Sequence, residues 1–114
     1  MNNRECGIVT NITIGNWYLV RGMATKISPA NVVWDFRDGC YSIPLTPEIL
    51  ENNGFLLAEE NIWEFEDKEA YLIIEKFEDG FAWMGGDYNI AKIDFVHQLQ
   101  DALRLCGSHK EIRI

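Results

Sequence analysis

Ile43-Pro44-Leu45-Thr46-Pro47-Glu48-Ile49-Leu50-Glu51-Asn52-Asn53-Gly54-Phe55 carries both ends of a short helix in its own residues. A residue before proline is pushed toward extended geometry, which an N-cap needs, so Thr46 suits the cap and its hydroxyl can accept a first-turn N–H. Pro47 then falls at N1, where a missing N–H costs nothing. Glu48 complements the positive end of the helix dipole. Leu45 and Leu50 have the spacing of a hydrophobic staple. Gly54 fits the left-handed position that ends a helix, with Phe55 next to pack back on Leu50. The pattern predicts a helix of about two turns over 47–53. So short a helix is marginal alone and must dock through Ile49, Leu50 and Phe55.

Outward from this helix the chain reads as strands. Upstream, Ile8–Ile14, Trp17–Val20, Met23–Ser28, Val32–Phe36 and Tyr41–Ile43 are rich in strand formers and separated by Gly15-Asn16, Gly22 and Asp38-Gly39. Short strands at that spacing suggest an SH3-like or partial-barrel unit. Downstream, Ile62–Glu66 alternates apolar and acidic residues, the pattern of a half-buried strand. Ala70–Phe77 holds four consecutive apolar residues and is expected to be buried on both faces. Phe81–Met84 and Tyr88–Ile93 complete a second meander. Residues 94–106 form a second helix, with Phe95, Leu99, Ala102, Leu103 and Cys106 as its core stripe, Asp94 at its start and Gly107 beyond its end. Ser108–Ile114 adds an edge strand or a loose tail. The expected fold is α+β: antiparallel β meanders, a short capped helix near 47–53 and a longer C-terminal helix near 94–106. It is one domain over 1–114, with subunits 1–57 and 58–114 sharing one core.

The 114 residues carry a net charge of −8, concentrated in residues 48–79, where eleven acids face only Lys68 and Lys76. Such a surface repels phosphate backbones, so direct nucleic-acid binding is disfavoured. Residues 1–10 lack an apolar signal core, and no apolar run approaches the ~20 residues that span a bilayer. The three cysteines, Cys6, Cys40 and Cys106, are odd in number and loosely spaced, as expected of thiols in a reducing cytoplasm.

Catalytic and metal patterns are weak. Cys106, His109 and His97 do not make the paired ligand spacings of structural zinc. Cys40 and His97 carry no local mark of a nucleophile and its base. Gly85-Gly86-Asp87 is not followed by a P-loop lysine. Asp35–Gly39 lacks the carboxylate density of a calcium loop. No catalytic residue, metal or cofactor is expected. Trp17, Trp34, Trp63 and Trp83 are many for this length. Most should be core, while any exposed together would mark a binding surface. Gln98, Asp101 and Leu105 share a helix face with His97 nearby.

Two segments resemble a known group. Ile-Pro-Leu-Thr-Pro-Glu-Ile-Leu at 43–50 with Asn53-Gly54-Phe55, and Val-His-Gln-Leu-Gln at 96–100 with Leu103-Arg104-Leu105-Cys106-Gly107, are similar to a family of small uncharacterised proteins from Bacteroidetes genomes and their phages or mobile elements. Ile14-Gly15-Asn16-Trp17 matches a strand near the start of those proteins. The resemblance implies a bacterial or phage cytoplasmic setting and a non-enzymatic accessory role.

The leading expectation is a non-enzymatic cytoplasmic protein-interaction module whose partner has a basic surface. Its candidate surface is Glu48, Glu51, Trp34, Trp83, His97, Gln98 and Asp101. A second reading is a small-ligand binder or enzyme with a cleft between the two β units. A third is an acidic mimic of DNA. The sequence assigns no oligomeric state.

Overall fold

The computed structural model describes residues 12–32, 39–85 and 88–114. The strand expected at Ile8–Ile14 lies outside them up to Asn11, and Ile12–Ile14 are not strand. The strand expected at Val32–Phe36 lies outside the described residues from Val33 onward, and Trp34 with it. The chain is α+β, with two antiparallel sheets and two helices. It divides into two compact units, residues 1–44 with 95–97, and residues 45–94 with 98–114. The division falls at Pro44–Leu45 rather than at residue 57, so the capped helix opens the second unit.

In the first unit, β1 (Trp17–Val20) lies between β2 (Met23–Lys26) and β3 (Cys40–Tyr41). Arg21 and Gly22 join β1 to β2 with φ of 53° and 82°. Positive φ at both central residues is the two-residue hairpin turn whose twist matches the strands. Tyr18, Val20, Ile27 and Cys40 are buried together, with Ile12 and Val32 against them. Phe95 pairs with Pro44, and the Val96 amide donates to the Ile43 carbonyl at 2.8 Å.

The second unit begins with α1 (Pro47–Asn52). Thr46 is extended (φ −132°, ψ 159°), and its Oγ1 accepts from the Ile49 amide at 3.2 Å. Gly54 has φ 90°. The Phe55 amide donates to Leu50 O at 3.0 Å, and that of Gly54 to Glu51 O at 3.3 Å, the paired bonds of a Schellman ending. Leu45, Leu50 and Phe55 are buried, and the Phe55 ring stacks on Phe65 at 4.9 Å.

A five-stranded meander follows in the order β4 (Leu56–Glu59), β5 (Ile62–Glu66), β6 (Tyr71–Phe77), β7 (Gly80–Gly85) and β8 (Tyr88–Lys92). The sequence does not announce β4. All four of its residues are exposed, so it has no buried alternation to read, and a bulge interrupts its pairing between Leu57 and Glu59. The hairpin to β5 turns at Asn61, whose φ is 65°.

The central strand β6 corrects an expectation. It is not buried on both faces. Leu72 and Ile74 are fully buried, while Tyr71, Ile73, Glu75 and Phe77 alternate with them on a face that stays partly open. Its four apolar residues in a row reflect apolar residues on a wet face rather than a covered one.

Helix α2 (Val96–Leu105) starts two residues later than expected. The Asp94 carboxylate does not cap it. Its Oδ1 instead takes the Phe81 amide at 3.4 Å and lies 3.7 Å from Lys92 Nζ. The Asp94 amide is held by Gln98 Oε1 at 2.8 Å. Beyond the helix, Gly107 has φ 87°, and the Ser108 amide reaches Leu103 O at 2.9 Å, a second Schellman ending. The tail forms no strand but is pinned. Asn53, itself buried, accepts from the Arg113 amide at 2.7 Å and donates to its carbonyl at 2.9 Å, and Ile112 is buried.

Candidate functional site

Three of the residues singled out from the sequence meet in the second unit. Trp83 pairs in register with the buried Ile74, so its indole projects from the inner face of the meander. Residues 98–105 of α2 run beside that indole. Between them lies an open, mainly apolar depression of about 200 Å³, formed by Trp83, Ala91, Ile93, Ala102 and Leu105 and edged by Lys92, Gln98 and Asp101. Gln98, Asp101, Ala102 and Leu105 line one flank because residues three and four apart share a helix face. Leu105 stands at the rim, 78% exposed. Asp101 pairs with Arg104 Nη1 at 3.1 Å. Gln100, on the same helix, is buried.

The other candidates lie elsewhere. His97 belongs to the first unit, 5.1 Å from the Tyr18 ring and stacked on Phe95 at 6.0 Å. Glu48 is exposed in the first turn of α1. Glu51 holds a core tryptophan, with Oε2 accepting from Trp63 Nε1 at 3.0 Å. Trp34 lies outside the described residues.

A second surface escapes the sequence reading. On the outer face of the meander, Leu56, Glu64, Ile73 and Met84 pair across four strands. Glu66 and Tyr71 form the next row toward the β5–β6 turn, and Ile62 and Glu75 the row on the other side. Leu56 is 73% exposed, Tyr71 52% and Phe77 41%. The Tyr71 phenol is raised above its ordinary value by partial desolvation first, then by its hydrogen bond to Glu64 and the negative charges of Glu64 and Glu66. The alternation of Ile62–Glu66 already puts Glu64 and Glu66 on the wet face. What the sequence leaves unread is that half of β6 joins them there.

Among the described residues, no group of three or more His, Cys, Asp or Glu side chains is placed to hold a metal ion. Burial pushes the Cys40 and Cys106 thiols up, so both stay protonated near neutrality. No helix among the described residues is long and apolar enough to cross a membrane. Comparison with protein-family models, curated proteins and solved structures finds no match to this chain.

Proposed function

We propose that the chain is a non-enzymatic protein-interaction module that seats an apolar side chain of a partner in the depression between β7–β8 and α2. The observation that carries this reading is the exposed Leu105 at the rim of that depression, beside the half-buried Trp83 and within reach of Gln98 and Asp101. A large apolar side chain left in water beside a tryptophan and ringed by polar groups is the anatomy of a contact hot spot. Small-molecule sites typically enclose ~300–1,000 Å³ and bury most of their ligand. An open depression of about 200 Å³ is better suited to one side chain than to a metabolite. The net charge of −8 favours a partner with a basic surface and disfavours direct contact with nucleic acid. The cytoplasmic, phage or mobile-element setting implied by the sequence resemblance belongs to the same proposal.

The test is capture from extracts of the native host, followed by titration of the purified captured protein. Leu105→Glu should weaken that binding by about tenfold or more, since a charge would enter an apolar contact, while leaving the circular dichroism spectrum unchanged. A small metabolite as the sole specific ligand would overturn the proposal.

A further inference from the structure

The geometry points to a second docking surface, on the outer face of the β4–β7 meander, that takes a basic amphipathic segment of a protein partner. It shares with the proposed function only the premise of a protein partner, and it uses the opposite face of the sheet from the Leu105 depression.

The face is apolar and acidic in an interleaved pattern. Glu64 separates Leu56 from Ile73, Glu66 stands beside Tyr71, and Glu75 stands beside Ile62. With strands about 4.8 Å apart and same-face residues about 7 Å apart along a strand, apolar and acidic groups alternate at the separations of side chains on one helix face. None of the three glutamates is ion-paired with a described residue. The nearby cations are engaged elsewhere. Lys76 lies 5.9 Å from the centroid of the Phe81 ring. Lys92 bonds the Asp79 carboxylate at 3.2 Å and its carbonyl at 3.1 Å.

Charge selects the occupant. A second copy placed face to face would oppose glutamates with glutamates. An anionic lipid surface and a phosphate backbone are repelled for the same reason. Apolar side chains flanked by Lys or Arg satisfy both halves of the pattern: they cover Leu56, Ile73 and Tyr71 and bring cations to the carboxylates. Contacts of this kind are strengthened by low salt.

The experiment uses the intact chain and synthetic helical peptides built from leucine and lysine, an isomer with glutamate for lysine, and a lysine-matched scramble without an apolar face. Binding is followed by backbone amide chemical shifts. The Leu/Lys peptide should move the signals of Leu56, Glu64, Tyr71, Ile73 and Glu75 saturably and lose affinity as salt rises. The acidic isomer should not bind, and the scramble should bind about tenfold or more weakly. Glu66→Lys with Glu75→Lys should weaken the Leu/Lys peptide by about tenfold or more. The milder Glu66→Gln with Glu75→Gln keeps the test valid if the reversal perturbs folding. Leu105→Glu should leave this binding unchanged, so failure of the sheet face and failure of the depression are read separately. Equal binding of the scramble, shifts confined to other acidic surfaces, or no saturable shift would each overturn the inference.

Discussion

The two faces of the five-stranded meander are made by the same strands and read in the same register, yet they differ in everything that decides stability. On the inner face, Trp63, Phe65, Leu72, Ile74 and Phe81 are all buried. On the outer face, Tyr71, Ile73 and Phe77 are scarcely less apolar, but they stand in water or half in water between glutamates. Because side chains alternate with a period of two, moving one residue along β6 carries a side chain from full burial to partial exposure. Apolar residues therefore serve two ends here: one set holds the fold, and the other is left available for contact.

The sharpest way to break that contrast is to shorten neighbours on opposite faces. Ile74→Ala should destabilise the chain by about 2–5 kcal/mol, the usual range for a large-to-small change in a packed core. Ile73→Ala, one residue away and only half-buried, should cost about 1 kcal/mol. Urea denaturation of both variants checks this. Equal costs would mean that the outer face is covered in solution, and the distinction drawn between the faces would collapse.

A smaller effect is expected where the meander turns. Gly80 opens β7 with φ 136°, and a Cβ built there overlaps Asp94 Oδ1 and comes within 3.3 Å of Lys92 Nζ. Gly80→Ala should therefore destabilise by about 1–3 kcal/mol through backbone strain, with displacement of the Asp94 carboxylate in addition. Adding Asp94→Ala should relieve the overlap and leave the strain. A double variant no more stable than the sum of the two singles would mean that the carboxylate moves aside at no cost.

The helix at 47–52 was legible almost residue by residue because capping is local: Thr46, Pro47, Gly54 and Phe55 act on backbone groups within one turn of themselves. The second helix and strand β5 were legible from periodicity, and β6 to β8 from runs of strand formers bounded by turn residues. What was hidden depends on partners distant in sequence. β4 has four exposed residues and exists by pairing with β5. Glu51, which looks like part of an exposed acidic face, is committed to the indole of Trp63. His97 belongs with Tyr18 and Phe95 rather than with Gln98 and Asp101. Of the candidate surface, Trp83, Gln98 and Asp101 converge because helix spacing and sheet register agree there. The open outer face is not legible because Leu72 to Ile74 look the same in sequence whether one face is covered or two.

The smallest expected effect lies where the β5–β6 turn meets the tail. Asp67 accepts from the amides of Glu69 and Ala70 at 2.9 and 2.8 Å with Oδ1, and from the Ser108 hydroxyl with Oδ2. Its carboxyl is held below the ordinary aspartate range, first by Ser108, with the two amides and the charge of the nearby His109 adding to it, against a desolvation that pulls the other way. A carboxylate whose value is lower folded than unfolded stabilises fully above the unfolded value, and that contribution is lost as pH falls through the folded one. Asp67→Asn should therefore lower the urea midpoint slightly at neutral pH. The gap from wild type should narrow once pH drops past the unperturbed aspartate value of about 3.9, and it should vanish below the folded value. A gap that stayed constant down to the lowest pH would mean that the turn draws on the shape of the side chain rather than its charge. The tail would then be held chiefly by Asn53 on Arg113, and Ser108→Ala should be silent at every pH.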